Sequence, residues 1–436
     1  MQWNTLNIFQ RLTRQWDSLH PYNAAQLMRL AGTGDPDALA AHWRASLDEL
    51  GLGRVRTVGD RFRWEPLNGQ IQPALILRTA PQACLEQVLA QELNRPFNPD
   101  DDLPFRALLF QGNDSHWLGV VYHHWVADSF SIRQLLRQWF LRIYDPARTR
   151  RQPLNLHPPG YLRLFGPAAA NWSLLGGILH GARWTARFKR VRRLDPDVYR
   201  QFHVRFRFYR AGGGLIQRLV PIARAAGVTV NDVFLAAMAQ ACDRFVPVKR
   251  TVRRQDLALG TIVDLRCRTT RDTSDLFGLF LGFTSVFCRP HDLPDFRRLL
   301  RCVSRQNARH KAARIPEASQ IRMLAGLLAQ RLLSRDSLIE MYRKRLALAG
   351  GISNVNLNRD WPADYHPHPL LEYLRVSPCG PLMPVVFTPT TLGGELNFGL
   401  TYRTPLIPDD HAHGIADTFL DRIQSFVECS APPGSR

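Results

Sequence analysis

The chain has 436 residues, 45% of them hydrophobic and 22% charged, which is typical of a globular protein long enough for two domains. It contains no long apolar stretch free of charge and no N-terminal segment with a continuous apolar core, so the sequence predicts neither a membrane-spanning helix nor a secretory signal. The net charge of +20 suggests an anionic partner, although only four of the 57 basic residues are lysines, and codon bias towards arginine contributes to the excess.

Helices and strands are mixed in the first half of the chain. Apolar spacing predicts helices over 38–50 and 83–93, and short apolar runs predict strands over 73–80, 105–110 and 117–124. After the last of these strands, Asp128 or Ser129 can cap a helix whose apolar positions are Ile132, Leu135, Leu136, Trp139 and Ile143. The sequence therefore predicts a strand, a loop and a helix, in this order.

A change of composition follows this helix. Residues 145–170 are rich in Pro, Gly and Arg, which predicts a connection between domains. Residues 171–193 are apolar at first and then strongly basic, and form either a bridging helix with a solvated basic face or an interfacial helix on an anionic membrane. The second half is again a mixture, with predicted helices over 214–227, 228–246 and 413–427 and strands over 257–266 and 395–403.

Two histidines end the strand predicted over 117–124, in the stretch VVYHHWVADSF (120–130). Neutral imidazole is a good base near neutral pH because its unperturbed pKa is about 6.5. A hydroxyl or amine held against one ring nitrogen could lose its proton while it attacks a thioester. Asp128 need not touch a substrate, since a buried carboxylate in this turn would need a cation such as arginine. The residues alone leave a second interpretation open, in which His123 and His124 are turn residues with satisfied hydrogen bonds.

Spacing alone does not select these histidines. A His followed by an Asp four residues later occurs at His124, His291 and His413, and only His124 follows an apolar strand and precedes a helix. The chain has no GxxxxGK, GxSxG, HExxH or complete GxGxxG motif, so the chemistries of those motifs find no support. Seven scattered cysteines without a CxxC pair favour free thiols in a reducing compartment over a disulfide framework or a zinc site.

With its surroundings, HHWVADS (123–129) resembles the HHxxxDG motif of the condensation-domain and chloramphenicol acetyltransferase-like superfamily. Five further segments are similar to motifs of that superfamily in the same order. They are NRPFNPDDDLPFRALLF (94–110), VTVNDVFLAAMAQA (228–241), TIVDLR (261–266), GISNVN (351–356) and GGELNFGLTYRTPL (393–406). The likeness covers nearly the whole chain and looks closest to polyketide-associated acyltransferases and to bacterial wax ester synthase/diacylglycerol acyltransferases.

The resemblance implies an α/β (α+β) fold. Two chloramphenicol acetyltransferase-like subdomains would form a V with a central tunnel, and His124 would lie at the middle of that tunnel. We expect the N-terminal subdomain over 1–165, a basic bridging segment over 166–200 and the C-terminal subdomain over 201–436.

The resemblance also implies roles for single residues of the motif. His124 corresponds to the general base, and His123 corresponds to the first histidine, whose role is less demanding. Asp128 corresponds to an aspartate that is structural and pairs with an arginine from the other half of the chain. Arg266, in the VDLR segment, is the natural partner.

Two polar pairs lie further along the chain. Ser353 and Asn354 stand where the resemblance places a segment close to the tunnel, and they could help to hold an oxyanion or could cap the end of a strand. Asn231 and Asp232 lie near the start of the helix predicted over 228–246, and we expect them to cap it.

The sequence departs from the superfamily in three places. Ser129 replaces the usual glycine and lacks the freedom of glycine at positive φ, so the loop could differ. NVNLNRDW lacks the Pro-Gly of the wax ester branch, and the plant-type DFGWG segment is absent. These departures leave the substrate open.

We therefore expect a free-standing acyltransferase that moves an acyl group from a thioester of coenzyme A or an acyl carrier protein to an alcohol or amine. The thioester is a co-substrate, and no bound cofactor or metal is implied. The basic stretch 133–210 would receive the anionic donor.

The expected partners are the acyl donor and a small-molecule or lipid acceptor, without nucleic acid, for a monomer in the cytoplasm. Peripheral contact with an anionic membrane stays open. The alternative function is a non-catalytic scaffold of the condensation type that binds a carrier protein or acyl cargo, whereas nucleic-acid binding rests on charge alone.

Overall fold

The computed structural model describes residues 3–67, 78–98, 102–194, 201–358, 361 and 370–430. The chain forms two compact units, each assembled from three separate stretches. Unit 1 comprises Met1–Ala170, Asp264–Leu281 and Leu357–Pro378, and unit 2 comprises Asn171–Val263, Gly282–Asn356 and Cys379–Arg436. The sequence ranges given above for the two subdomains and the bridging segment stay a prediction about domains.

The strands are β1 (Asn4–Thr5), β2 (Asn23–Ala31), β3 (Arg54–Val58), β4 (Arg61–Glu65), β5 (Arg78–Pro81), β6 (Phe105–Gln111), β7 (Ser115–His123), β8 (Arg193–Leu194), β9 (His203–Ala211), β10 (Val248–Lys249), β11 (Leu257–Asp264), β12 (Leu281–Cys288), β13 (Gly350–Ile352), β14 (Val355–Asn356), β15 (Leu370–Val376), β16 (Val385–Leu392) and β17 (Glu395–Thr404). The α-helices are α1 (Ile8–Asp17), α2 (Pro36–Glu49), α3 (Leu85–Asn94), α4 (Ser129–Tyr144), α5 (Tyr161–Phe165), α6 (Pro167–Ala170), α7 (Leu174–Arg187), α8 (Leu215–Ala225), α9 (Val230–Phe245), α10 (Phe296–Ala312), α11 (Ile315–Leu332), α12 (Arg335–Arg345) and α13 (Asp409–Ser430).

The elements predicted from periodicity are present. The helices expected over 38–50 and 83–93 are α2 and α3, and the strands expected over 105–110 and 117–124 are β6 and β7. In the second half, α8, α9, α13, β11 and β17 occupy the predicted stretches. The strand predicted over 73–80 lies partly outside the described residues, and its last residues belong to β5. The mixture of helices and strands confirms the predicted fold class.

The main sheet of unit 1 has the strand order β15-β2-β7-β6-β5. Its neighbours run antiparallel except for β5 and β6, which are parallel. β7 lies in the middle of the sheet, and all nine of its residues are buried. Because both edges of β7 are paired, the backbone is fixed up to its last residue, His123, which lies opposite Asn23 of β2.

Helix α4 follows β7 after a short loop and packs back onto unit 1. Ile132, Leu135, Leu136 and Trp139 are fully buried at helical spacing, as the sequence predicts. The Trp139 ring lies 4.6 Å from the ring of Trp43 on α2, measured between centroids. These contacts anchor the helix, so its N-terminus and the loop before it have a defined position.

Residues 145–170 differ from the connection that their composition suggests. They contain α5 and α6, and Tyr161, Leu164 and Phe165 are buried in a cluster with Leu265, Leu276 and Phe280 of the same unit. Proline and glycine break this stretch into short helices, but its apolar side chains still fill the core of unit 1.

Unit 2 contains a sheet with the strand order β12-β11-β13-β16-β17-β9, and β14 also pairs with β16. Helix α9 is buried along most of its length and packs against α13. The capping residue of α9 is Thr229 rather than Asn231 or Asp232. Asp232 completes the cap, because its side chain accepts a hydrogen bond from the Thr229 backbone N–H at 2.9 Å.

Among the helices of the described stretches, none is by itself long and apolar enough to cross a membrane. Helices α8 and α9 meet that criterion only as a pair, and the pair is bent by 104°.

Candidate active site

The loop between β7 and α4 carries His124, and hydrogen bonds to the surrounding backbone hold it. The His124 N–H donates to the Tyr22 carbonyl at 3.2 Å, and the Val126 N–H donates to the His123 carbonyl at 2.9 Å. Since β7 and α4 are both anchored in the core, the loop presents the His124 side chain from a fixed backbone.

The hydrogen bonding of the ring defines the tautomer of His124. Its Nδ1 lies 2.9 Å from the carbonyl oxygen of Ala127. A carbonyl oxygen only accepts, so Nδ1 must carry the proton. In the neutral ring, Nε2 then keeps its lone pair and can act as a base.

Aromatic rings orient His124. The Tyr22 ring is stacked on it with centroids 5.6 Å apart and an interplanar angle of 16°, and the Tyr122 ring meets it edge-on at 5.7 Å. Burial lowers the pKa of His124 from its ordinary value, an effect opposed by the hydrogen bond to Ala127. The ring is therefore neutral, and ready to accept a proton, at neutral pH.

His123 is bound through both ring nitrogens and is buried. Its Nε2 lies 2.8 Å from Oδ2 of Asp17, and its Nδ1 accepts a hydrogen bond from the Trp125 indole N–H at 3.0 Å. Phe97 stacks on the ring with centroids 5.2 Å apart. With no nitrogen left for a substrate, His123 supports the loop through its contacts.

Asp17 connects the two histidines and was not identified from the sequence. While its Oδ2 binds His123, its Oδ1 accepts the backbone N–H of Tyr22 at 2.8 Å. Tyr22 in turn stacks on His124. Asp17 ends α1, more than a hundred residues before the motif, and no local pattern marks it.

Asp128 is completely buried and caps α4. Its Oδ1 accepts the Ser131 N–H at 3.0 Å, and its Oδ2 accepts both the Arg266 Nη1 at 2.7 Å and the Phe280 N–H at 2.8 Å. Burial alone would raise the pKa of this carboxyl, but the guanidinium of Arg266 and the hydrogen bonds hold it below its ordinary value. The carboxylate is thus charged and has no contact left for a substrate.

Arg266 is the partner that the resemblance implied for Asp128. It is buried, and besides the ion pair its Nη2 donates to the Ser131 hydroxyl at 2.9 Å. The Ser131 hydroxyl donates to the Gly278 carbonyl at 2.9 Å, and the Asp128 N–H donates to the same carbonyl at 2.9 Å. This network ties the end of the His124 loop to residues 264–281, which belong to unit 1.

Ser129, which stands in the glycine position of the motif, begins α4 without a positive φ. The loop therefore does not need glycine here. Its hydroxyl accepts hydrogen bonds from Arg375 Nε at 3.0 Å, Gln26 Nε2 at 3.2 Å and Arg133 Nη1 at 3.2 Å. The serine joins the helix to β15 and β2.

Arg375 and Gln26 were also missed in the sequence. Arg375 is buried on β15, and burial together with the charge of Arg133 lowers its pKa to about 10. The Gln26 side chain accepts a hydrogen bond from the Tyr373 hydroxyl at 2.7 Å. Arg375 lies 246 residues after Ser129 in the chain, so only the fold brings the two together.

The structure places Ser353 and Asn354 in unit 2, between β13 and β14. The Ser353 N–H donates to the Phe387 carbonyl on β16 at 2.9 Å. This main-chain bond continues the pairing of β13 with β16. The oxyanion role of the pair stays a prediction.

Comparisons with known proteins fit this arrangement. The family model described as Condensation domain matches residues 73–165, which contain the His124 loop and α4. Tyrocidine synthase 3 from Brevibacillus parabrevis is 25% identical over 262 residues, which is 58% of this chain and 4% of that protein. The chain therefore spans only a small part of the curated relatives that it matches.

Solved structures share the fold along the whole chain. Trichothecene 15-O-acetyltransferase TRI3 from Fusarium sporotrichioides is similar with a TM-score of 0.70 at 9% identity, covering 97% of this chain and 95% of that chain. The first condensation domain of the CDA synthetase is similar with a TM-score of 0.67 at 16% identity, covering 100% and 97%. Residues 73–165 thus match the Condensation domain family, and the chain as a whole shares the fold of condensation domains and of this acetyltransferase.

Proposed function

We propose that this protein is an acyltransferase in which His124 is the general base. It would transfer an acyl group from a thioester of coenzyme A or of an acyl carrier protein to an alcohol or an amine. The single observation that carries the proposal is the contrast between the two histidines. His123 uses both ring nitrogens for internal contacts, whereas His124 fixes Nδ1 on a carbonyl and keeps Nε2 as a base.

The chemistry follows from that lone pair. Nε2 of His124 removes the proton from the acceptor hydroxyl or amine while the acceptor atom attacks the thioester carbonyl. The tetrahedral oxyanion then collapses, the C–S bond breaks, and the thiolate takes the proton from the imidazolium. During this cycle the bond from Nδ1 to Ala127 keeps the ring orientation and stabilises the transient positive charge.

The remaining motif residues would position this base. Asp128 and Arg266 bind each other, and Asp128 also binds the backbone N–H of Phe280. The pair would therefore hold the loop in place without taking part in the reaction. Asp17, His123 and Trp125 support the other side of the loop. For the oxyanion, Ser353 and Asn354 remain the proposed donors.

The test is thiol release from a panel of acyl-CoA and acyl-carrier thioesters with pooled alcohols and amines, followed by mass spectrometry of the products. We expect acceptor-dependent release by the wild type, and a loss of about a hundredfold or more in His124→Ala, the range for removal of a general base. His157→Ala is the matched control, because His157 is an exposed histidine of the same unit. Equal turnover of both variants would refute the role of His124.

Absence of release from every donor would instead support the non-catalytic scaffold. Binding of an acyl-carrier protein without turnover, unchanged in His124→Ala, is the result that such a scaffold requires.

A further inference from the structure

A cavity of about 730 Å³ lies within unit 1 beside α4. One face of the helix forms its largest wall, with contributions from Phe130, Arg133, Gln134, Arg137, Gln138 and Leu141. These residues follow one another at alternating intervals of three and one, so they share a single side of α4. The volume is within the range of small-molecule sites, which is roughly 300–1,000 Å³.

The wall is strongly basic. Among the described residues that line the cavity, four are arginines, at positions 133, 137, 148 and 150, and none is an aspartate or a glutamate. The carboxylates near the cavity, Asp145 and Glu49, already have partners. Asp145 lies 3.9 Å from Arg148, and Glu49 pairs with Arg142 and with the Gln138 amide. Asp145 thus offsets part of the charge of Arg148, but the wall as a whole remains basic and attracts an anionic ligand.

The arginines come from two elements that are held together. Arg133 and Arg137 are one turn apart on α4, whereas Arg148 and Arg150 belong to the segment after it. Gln138 fixes that segment to the helix, because its Oε1 accepts the Arg150 N–H at 2.9 Å and its Nε2 donates to the Arg150 carbonyl at 2.9 Å. The backbone beneath both pairs is therefore preorganised.

The cavity begins where the His124 loop ends. Arg133, in its wall, donates to the Ser129 hydroxyl, and Ser129 is the first residue of α4. Phe130, the next residue, lines the cavity, and the guanidinium of Arg266 lies 4.6 Å from the centre of its ring. A ligand in the cavity would thus lie next to the catalytic loop in the same unit.

We infer that this cavity binds the phosphate-bearing end of the acyl donor, and that the donor is of the coenzyme A type. The inference rests on the proposed function, since it assigns a site to the donor of that reaction. Guanidinium groups bind phosphate through paired, charge-assisted hydrogen bonds. Several phosphate groups on one nucleotide match four arginines in one cavity. The single phosphodiester of a carrier-protein arm would contact fewer of these guanidinium groups.

The first test compares three donors with the same acyl group and the same pantetheine arm. Acyl-pantetheine has no phosphate, acyl-phosphopantetheine has one, and acyl-CoA has several. The variant is Arg137→Gln/Arg150→Gln, which leaves Arg133 and its bond to Ser129 in place. We expect its KM for acyl-CoA to rise about tenfold or more, because each charge-assisted hydrogen bond that is lost weakens binding severalfold. Its KM for acyl-pantetheine should stay unchanged, because that donor has no phosphate.

The matched control is Arg61→Gln/Arg163→Gln, which removes the same charge from exposed positions of unit 1 outside the cavity. An equal rise of KM in this control, or an equal rise for all three donors in the cavity variant, would overturn the inference. A rise that is as large for acyl-phosphopantetheine as for acyl-CoA would also contradict it, since one phosphate would then be enough and a carrier-protein arm would be the better donor.

A binding measurement separates this inference from the proposed function. Adenosine 3′,5′-bisphosphate, titrated by calorimetry, has no acyl group and needs no turnover. Binding by the wild type that weakens about tenfold or more in the cavity variant, but not in the control, supports the site even if no donor is turned over. Acyl transfer by a wild type that does not bind the bisphosphate would leave the acyltransferase standing and would refute the cavity as its donor site.

Discussion

Two adjacent histidines differ because of what their ring nitrogens touch. The Nε2 atom of His123 lies 2.8 Å from Asp17 and its Nδ1 accepts from Trp125, whereas among the described residues the ring of His124 is held through Nδ1 alone. The sequence motif contains both histidines, and its pattern alone does not distinguish their roles. This difference is the basis for proposing a structural role for His123 and a catalytic role for His124.

This contrast predicts opposite effects on stability and activity. His123→Ala would leave the buried Trp125 N–H without a partner and remove one of the two contacts of the Asp17 carboxylate, and we expect it to lower the free energy of unfolding by about 1–3 kcal/mol. His124→Ala should cost less stability but remove turnover. Urea denaturation of both variants, together with thiol release, checks the prediction. A His124→Ala variant that is the less stable of the two would contradict it.

The pKa of His124 predicts the pH dependence of the reaction. Burial lowers this pKa below its ordinary value of 6.5, so the ring stays neutral at pH values where an exposed histidine would be charged. A base must be neutral to accept a proton, and kcat/KM should therefore be constant from neutral pH to below pH 6.5 and fall only in more acidic solution. A pH profile with an acidic limb centred at or above 6.5 would contradict this assignment.

The ion pair of Asp128 and Arg266 predicts a large and coupled loss of stability. Either Asp128→Asn or Arg266→Gln leaves an uncompensated buried charge, which costs about 3–5 kcal/mol. The double variant should cost clearly less than the sum of the two. Because the pKa of Asp128 is lowered in the folded protein, its contribution to stability is present above the ordinary carboxyl pKa and is lost as the pH falls towards the lowered value.

The exposed pair of Asp145 and Arg148 serves as the control for that cycle. Its charged atoms are 3.9 Å apart, and the Arg148 side chain is 59% exposed, so solvent screens the interaction. Asp145→Asn should change the free energy of unfolding by less than about 1 kcal/mol. Simple additivity of the two buried substitutions in urea denaturation would show that Asp128 and Arg266 are not coupled.

At the scale of elements, the start of α4 joins three parts of unit 1. Asp128 caps the helix, and the Ser129 hydroxyl accepts bonds from β15 and β2 as well as from Arg133. Where the motif usually has a flexible glycine, Ser129 thus supplies a hydroxyl that links the helix to two strands by hydrogen bonds. The backbone tolerates this change because φ is not positive there.

Two substitutions of Ser129 separate the hydroxyl from the backbone. Ser129→Ala removes the acceptor of Arg375 and Gln26, and we expect a loss of about 1–3 kcal/mol in the free energy of unfolding. Ser129→Gly should lose the same amount and, at a helical position, up to about 1 kcal/mol more. Thermal or urea unfolding of both variants checks the order. A Ser129→Gly variant more stable than Ser129→Ala would show that the position prefers glycine.

How much of this site the sequence could predict depends on distance along the chain. Local sequence determines β7, α4 and the cap at Asp128, so the apolar periodicity and the capping residue predict them. Arg266 was found because VDLR resembles a known segment. Asp17 and Arg375 carry no local signal, since each meets the motif only after the sheet of unit 1 has formed. Composition was also misleading for residues 145–170, whose buried side chains lie among prolines and glycines.

At the scale of the whole molecule, the seven cysteines are free and differ in access. Cys242, Cys288 and Cys379 are buried; burial raises the pKa of all three thiols, that of Cys379 to about 12. Only Cys267 and Cys429 are exposed, so a thiol reagent should label these two quickly in the native protein.

Mass spectrometry of peptides after labelling checks this prediction. The three buried thiols should react only when urea unfolds the chain, and acyl transfer should persist after native labelling, since the proposed mechanism uses no cysteine. Rapid labelling of Cys242 in the native protein would contradict the buried position of α9.

The division of the molecule into units also has a consequence for the order in which it is made. The ribosome adds Arg266 138 residues after Asp128, and Arg375 246 residues after Ser129. At synthesis rates of about 5–20 residues per second, the second interval lasts on the order of tens of seconds. Until β15 emerges, β2 is an open edge of its sheet, available to other nascent chains. The loop before α4 therefore obtains its full set of contacts only after Arg375 has been synthesised.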